Sequence, residues 1–189
     1  MTIEPSSFVF TPFYHGIYRC VQGAVIDGID PYTDRDVSHR RRWFEERLAL
    51  LQRHFCIQVL EFAMSKQCYQ IVLKIDTDKL SELSDHEVFA RWSACYDSVN
   101  PIVHRYLSGD KSVEQEALQI LSGYQQRLGD CGWFLSALNL YIAAKANEED
   151  GQSGHFWESS KLRPLQTDDA KNKAIYLVKS FANVLAEAC

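Results

Sequence analysis

The sequence predicts an α+β protein in which an antiparallel sheet packs against helices. Residues 68–75 (CYQIVLKI) alternate from face to face as a strand does, and residues 38–55 carry apolar residues at helical spacing. Strand and helix segments follow one another in the order β, α, β, β, a helical insertion, α, β, α. This mixture is typical of a sheet covered by helices.

The first half of the chain contains three predicted strands and one predicted helix. Residues 8–26 are expected to be an extended entry followed by the first strand. A turn at Asp30-Pro31 leads into the helix, for which Ser38 is the expected N-cap. Residues 56–63 and 68–75 are two strands joined by the short polar connection MSKQ. The apolar stripe of the helix consists of Phe44, Leu48, Leu51 and Phe55.

Residues 76–130 are predicted to form a helical insertion. Ser84 and Glu87 have the spacing of a capping box, and the helix that they open should end near Asn100-Pro101. Ser112 and Gln115 have the same spacing and predict a second helix start. The apolar residues assigned to these two helices are Val88, Phe89, Trp92 and Val99, and then Leu118, Leu121 and Leu128.

The remaining elements follow the insertion. Asp130 or Gly132 precedes a third helix, residues 133–147, which is expected to end in the turn EEDGQSG. Residues 155–163 are predicted to be a short strand. After Pro164, a last helix should begin at Thr167.

Composition and charge indicate a single globular domain over residues 1–189. No apolar stretch is long enough to cross a bilayer and the start lacks a signal peptide, so we expect a cytoplasmic protein without a membrane partner. The six cysteines have no zinc-type spacing, which favours reduced thiols. The net charge is −5, but the acidic excess lies within residues 76–130. Both flanking parts are close to neutral and contain compact basic clusters.

The two faces of the strand at residues 68–75 differ in character. Tyr69, Ile71, Leu73 and Ile75 form an ordinary core face. The opposite face places a thiol beside an amide, which is unusual for a strand that is buried enough to carry such an apolar ladder. The residues of this second face are Cys68, Gln70, Val72 and Lys74.

Three motifs resemble those of a known family. YHGIYRC (Tyr14–Cys20), HRRRWFEERL (His39–Leu48) and WFLSALNLYIAAKANEEDGQSGHFWES (Trp133–Ser159) are similar to the single-tyrosine HUH transposases, in particular to their REP-associated branch. The similarity runs in register from about Tyr14 to about Asp169. It implies a ferredoxin-like antiparallel sheet and binding of single-stranded or hairpin DNA. In this family a His-hydrophobic-His pair holds a divalent metal, Mg²⁺ or Mn²⁺, and a tyrosine on a late helix attacks the phosphate.

At the family's catalytic positions this sequence is different. In the matching strand, residues 67–74 (QCYQIVLK), Cys68 and Gln70 stand where the resemblance would place the two histidines. A thiolate is a soft ligand poorly suited to magnesium, and a carboxamide oxygen is a weak neutral one. The nucleophile position falls on Val178, and the nearby candidate Tyr176 lies roughly 200° away around the helix. We therefore expect a degenerate transposase without a catalytic residue, a bound metal or a cofactor.

Two structural expectations follow from this degenerate site. Loss of the imidazoles should have let the cleft close, because apolar neighbours such as Val72 can fill it. No third coordinating group should lie within reach of Cys68 or Gln70. His15 and His54 have no partner at ligand spacing and are expected to be structural histidines.

A basic run marks the start of the first helix. His39, Arg40, Arg41 and Arg42 lie in its first turn, where cations oppose the helix dipole. A bound phosphate backbone would explain them, because the free N–H groups of a helix start also attract anions. The alternative is a solvated charge run held by Glu45 and Glu46 one turn later. Three other cations extend the predicted DNA-binding surface across the sheet: Arg19, Lys161 and Arg163.

Three functions are compatible with the sequence. The first is a DNA-binding protein on a transposase scaffold that no longer cleaves DNA. The second is an active strand transferase in which Cys68 and Gln70 hold manganese or zinc and Tyr176 is the nucleophile. The third is an interaction protein without a nucleic-acid role, and a homodimer is expected because members of the resembled family dimerise. The partner surface in this third case would consist of Val88, Phe89, Trp92 and Leu118.

Overall fold

The computed structural model describes residues 11–158 and 160–187, with side chains described as far as residue 182. These residues contain four strands and seven α-helices. None of the helices in this part of the chain has both the length and the apolar character needed to cross a membrane. The elements are β1 (Phe13–Arg19), α1 (His39–His54), β2 (Ile57–Met64), β3 (Cys68–Ile75), α2 (Thr77–Glu82), α3 (Asp85–Tyr96), α4 (Pro101–Leu107), a 3₁₀ turn (Lys111–Val113), α5 (Glu114–Leu128), α6 (Cys131–Asp150), β4 (Lys161–Pro164) and α7 (Asp168–Glu187).

The four strands form one antiparallel sheet in the order β2-β3-β1-β4. With α1 and α6 as the connecting helices, the elements follow the β-α-β-β-α-β pattern of a ferredoxin-like fold. The expected α+β fold class is therefore confirmed. Because β1 and β3 are the two central strands, residues paired between them share a face of the sheet, and the register places Arg19 opposite Cys68 and Gly16 opposite Ile71.

The first face of the sheet carries the main core beneath α1 and α6. Tyr69, Ile71 and Leu73 are completely buried there, as the alternation of β3 predicts. The ring of Phe44 on α1 lies 4.8 Å from that of Tyr69 in an edge-to-face contact. A side chain at Gly16 would crowd two core residues of the sheet, because a Cβ at this position would lie 3.0 Å from the Tyr18 ring and 3.2 Å from Ile71.

The insertion, residues 76–130, packs beside α1 and α6 rather than on the sheet. The Ser84–Glu87 capping box is present, with Ser84 Oγ accepting from the N–H of Glu87. The predicted end of this helix is wrong: α3 ends at Tyr96, since Asp97 adopts a left-handed conformation with φ 46°. Asn100 then caps α4. Val99 consequently lies between two helices and is 64 % exposed.

Polar side chains in two loops change the predicted helix starts. Asp110 rather than Ser112 caps the second helical region, because its carboxylate accepts from the N–H of Ser112 and a 3₁₀ turn precedes α5. Ser38 precedes α1 but makes no capping bond, since Asp36 accepts from both its N–H and its hydroxyl. Asp130, one of two expected caps, does cap α6 by accepting from the N–H of Trp133.

Two further predictions about elements need correction, and one helix was not predicted. The fourth strand is limited to Lys161–Pro164, and among the described residues before it Trp157 forms an isolated bridge with Cys20, just after the end of β1. Leu118 is 42 % exposed and is not a core residue of α5, whereas Leu121 and Leu128 are buried. α2 was not expected from the sequence.

The partner surface proposed for the insertion is largely internal. Val88 is 2 % exposed and Trp92 is 7 % exposed. The Trp92 ring stacks on that of Tyr124 at 4.7 Å, so both belong to the packing between α3 and α5. Of the four residues assigned to that surface, Leu118 alone is exposed to solvent.

A buried arginine ties the start of α1 to the end of α6. Arg40 is 1 % exposed, and its guanidinium donates to the Val25 carbonyl at 2.7 Å and to Glu149 Oε2 at 2.8 Å. It also donates to Asp150. His39 Nε2 lies 2.8 Å from Glu149 on the same side. One side chain thus joins α1, α6 and the segment after β1.

Replacing this arginine should destabilise the fold strongly. In Arg40→Met the apolar volume is kept, but Glu149 and Asp150 lose their buried cation and the Val25 carbonyl loses its donor. We expect a loss of about 3 kcal/mol in the free energy of unfolding, measured by urea denaturation. Arg42→Met is the matched control, because Arg42 is exposed and its one ion-pair partner in the described part of the chain is Glu46, one turn away. Equal destabilisation by the two substitutions would contradict the role assigned to Arg40.

Candidate nucleic-acid interface

The second face of β3 is divided between apolar packing and polar side chains. Val72 is completely buried against α7, where Ala174 and Val178 cover it. Cys68 and Gln70 are half-buried on the same face. The thiol and the amide therefore lie beside a second, smaller core, while the polar groups themselves keep contact with solvent.

Gln70 has a histidine partner from the neighbouring strand. His15 Nε2 lies 3.3 Å from Gln70 Oε1, so the expectation of no coordinating group near Gln70 is wrong. Burial lowers the pKa of His15, and the charge of Arg163 lowers it further against the opposing effect of the Gln70 contact. Sequence reasoning missed this pair because the two residues are far apart along the chain. The alternation of β1 was the available signal, since it places His15 and Arg19 on one face.

Cys68 lines an open cleft at the end of the two central strands. Its Sγ lies 3.2 Å from Ser65 Oγ. The cleft has a volume of about 370 Å³ and is lined also by Arg19, Tyr32 and Glu158. The expectation that the site had closed is therefore wrong at Cys68. Within residues 11–158 and 160–182, no three His, Cys, Asp or Glu side chains are grouped as a metal site would require.

Three of the predicted DNA-binding cations fall together on this face. Arg19 pairs in register with Cys68, Lys161 lies opposite Ile17 and Arg163 lies opposite His15. All three are exposed. None of them has a carboxylate within ion-pair distance in the described part of the chain. We call these residues, Arg19, Lys161 and Arg163, the basic face.

The basic run of α1 has a different environment. Arg40 is buried in the contacts with α6 described above and has almost no surface to offer a phosphate. Arg41 donates to Asp27 at 2.9 Å, and its guanidinium lies 4.0 Å from Glu45. Arg42 donates to Glu46 at 2.7 Å, as the alternative of a charge run held one turn later requires. DNA binding by this run stays a prediction, and it concerns the more exposed His39, Arg41 and Arg42.

The two candidate positions for a nucleophile lie on opposite sides of α7. Val178 is completely buried against the sheet, and Tyr176 is 70 % exposed. Their separation of two residues corresponds to roughly 200° around the helix, so the phenol of Tyr176 points away from Cys68 and Gln70. Ala174 and Val178 form the side of α7 that is buried against the sheet.

Because the pKa of His15 is lowered in the folded chain, we expect the stability of the fold to depend on pH. The unfolded chain takes up a proton at the ordinary histidine pKa of 6.5, whereas the folded imidazole does so only at lower pH. The free energy of unfolding should therefore fall as pH drops below 6.5, and His15→Gln should remove part of this fall. Urea unfolding at pH 7.5, 6.0 and 5.0 measures the effect, with His86→Gln, at an exposed position on α3, as the control for loss of a histidine. An NMR titration that placed the His15 pKa at or above 6.5 would contradict the assignment.

Comparisons with protein-family models, curated proteins and solved structures found no match to this chain. The resemblance to single-tyrosine transposases accordingly rests on the three sequence motifs. The order of strands and helices in the structure agrees with the fold that this resemblance implies.

Proposed function

We propose that this chain is a cytoplasmic protein that binds single-stranded or hairpin DNA through the basic face and does not cleave the bound strand. The observation that carries the proposal is the register of β1 and β4, which brings three exposed cations without a described carboxylate partner onto one side of the sheet. A homodimer remains part of the proposal, because β2 and β4 are sheet edges that a second chain can extend.

The surroundings of the basic face suit a flexible nucleic-acid strand. α7 lies mainly over β2 and β3, so the side of the sheet formed by β1 and β4 is less covered. Cations on such a surface attract phosphates and release counterions on binding. Tyr32 is 62 % exposed and lines the same cleft as Arg19, where it offers an aromatic surface on which a base can stack.

The groups that would have to cleave a bound strand are poorly suited to that chemistry. Gln70 Oε1 is already in contact with His15, and its neutral amide would withdraw little charge from a phosphate. Val178 has no nucleophilic atom, and Tyr176 faces solvent on the far side of α7. A bound strand on the basic face would therefore lie near neither a metal held by strong ligands nor an activated hydroxyl.

Neutralising the basic face should weaken binding in a salt-dependent way. The triple variant Arg19→Ala/Lys161→Ala/Arg163→Ala removes three proposed phosphate contacts. We expect the affinity for a single-stranded oligonucleotide to fall roughly tenfold or more at low salt, and the slope of log K against log[salt] to become shallower by about 2. Fluorescence anisotropy at several salt concentrations, with single-stranded and hairpin DNA, measures both quantities.

A matched triple variant controls for the change in net charge. Arg53→Ala/Arg105→Ala/Lys111→Ala also removes two arginines and one lysine, all exposed and all away from the sheet. Equal weakening by the two triple variants, or no binding by the native chain at low salt, would refute the proposal. Arg41→Ala/Arg42→Ala tests the start of α1 separately. If DNA affinity falls in that variant alone, the DNA-binding surface lies at the start of α1 and not on the sheet.

An active strand transferase is the second candidate, and the contact between His15 and Gln70 favours it because an imidazole does lie at the altered site. Incubation of end-labelled single-stranded DNA with Mg²⁺, Mn²⁺ or Zn²⁺ distinguishes the two candidates. We expect no covalent protein–DNA adduct on a denaturing gel with any of these metals. An adduct that is lost in Tyr176→Phe and kept in Tyr32→Phe would establish the transferase instead.

A further inference from the structure

A second cavity lies on the opposite side of the sheet from the basic face. It has a volume of about 340 Å³, is open to solvent, and lies between α6 and the described residues 154–158 and 160 of the chain that leads into β4. This volume is within the range of small-molecule sites. Tyr18 and Trp157 contribute aromatic walls, and Ser136 and Ser160 contribute hydroxyl groups.

A buried amide is the central polar group of this cavity. Asn139 lines it and is only 9 % exposed. Its Oδ1 accepts a hydrogen bond of 2.7 Å from the hydroxyl of the fully buried Tyr69, which fixes the orientation of the amide. The Nδ2 group has no hydrogen-bond acceptor among residues 11–158 and 160–182. It can therefore donate to an acceptor on a ligand that enters the cavity.

The aromatic walls are held rigidly before any ligand binds. Tyr18 stacks on Tyr69 with ring centroids 4.9 Å apart and an angle of 6° between the planes. Trp157 meets Tyr69 edge to face at 5.5 Å, and its Nε1 donates to the backbone carbonyl of Asn139 at 2.9 Å. A planar ligand would therefore enter a preformed site and would lose little free energy in ordering the protein.

The charges of the cavity restrict the ligand further. Its lining contains the carboxylate of Glu158 and no lysine or arginine among the described residues, so an anion is disfavoured. Leu140 lines the cavity although it is 71 % exposed, and a ligand with an apolar surface would cover it. The site therefore favours a flat, uncharged ring with at least one hydrogen-bond acceptor and one donor.

We propose that this cavity binds an unpaired nucleobase, with a ring acceptor on Asn139 Nδ2 and the ring plane against the aromatic walls. A nucleobase combines a flat apolar surface with carbonyl or ring-nitrogen acceptors and N–H donors, and it carries no charge. The base can belong to a free nucleoside or to a nucleic-acid strand. The proposal does not rest on DNA binding by the basic face, since the two sites lie on opposite sides of the sheet.

Binding of free nucleosides is the first test. Uridine, cytidine, adenosine and guanosine are titrated into the full chain and followed by saturation-transfer NMR and calorimetry, with ribose 5-phosphate as the probe that lacks a base. Ser136→Phe places a ring into the cavity from an exposed position and should lower the affinity for the preferred nucleoside roughly tenfold. Ala144→Phe is the matched control, because it adds the same ring at an exposed position of α6 that does not line the cavity, and it should leave the affinity unchanged.

A second experiment, with oligonucleotides, distinguishes a base of a nucleic-acid strand from a free nucleoside. A ten-nucleotide single strand is compared with an abasic strand of the same length in the native chain and in both phenylalanine variants. One informative result is that Ser136→Phe lowers the affinity for the strand with bases and leaves the affinity for the abasic strand unchanged. This result would support binding of a base that belongs to a strand, even if no free nucleoside binds. The proposal is overturned if no nucleoside binds at millimolar concentration and Ser136→Phe leaves strand binding unchanged, or if Ala144→Phe has the same effect as Ser136→Phe. Failure of the basic-face variants to alter DNA binding would leave this result unaffected.

Discussion

The contact between Arg40 and the end of α6 brings together two helix termini of opposite charge. The charges of each terminus would be unfavourable without the other. α1 begins with a histidine and three arginines and has no acidic residue in its first turn, and α6 ends with carboxylates and no basic residue in its last turn. Each arrangement opposes the helix dipole. Because Arg40 is buried among Glu149, Asp150 and the Val25 carbonyl, the charges compensate one another across the two helices. Both helices that cover the main face of the sheet are held in place at this junction.

This junction also determines which surfaces of the sheet stay open. With α1 and α6 fixed over the first face, the core residues of β3 are sealed from solvent. Among the helices that the structure describes, α7 covers the second face, and it packs mainly on β2 and β3. The side formed by β1 and β4 therefore keeps polar and charged side chains in contact with water. The buried main core and the exposed basic face thus have one cause: two helices, α1 and α6, cover the first face of the sheet, whereas α7 covers part of the second.

Local patterns in the sequence predicted the elements well and their partners poorly. The alternation of β3 identified its core face, and the Ser84–Glu87 spacing identified a helix start, because both depend on residues near one another in the chain. The contact of the basic run of α1 with α6 was not predicted, because Glu149 lies 109 residues away from Arg40. The contact between His15 and Gln70 was missed for the same reason, since it depends on the register of two strands. Competition between neighbouring polar groups explains the misplaced helix starts at Ser38 and Ser112.

The packing of α7 gives a physical reason why the proposed binding of DNA would not be accompanied by cleavage. Val178 stands at the position that the resemblance assigns to the nucleophile, and it is completely buried against Val72. A phenol hydroxyl at this position would need a hydrogen-bond partner, and an unpartnered one would cost free energy on burial. The surrounding residues of this second core, Ala63 and Ala174, offer only apolar side chains. An apolar residue here therefore anchors α7 to the sheet, whereas a nucleophile would require the helix to stand away from it. The exposed cations of β1 and β4 do not take part in this packing, so the proposed phosphate-binding surface does not depend on a nucleophile at this position.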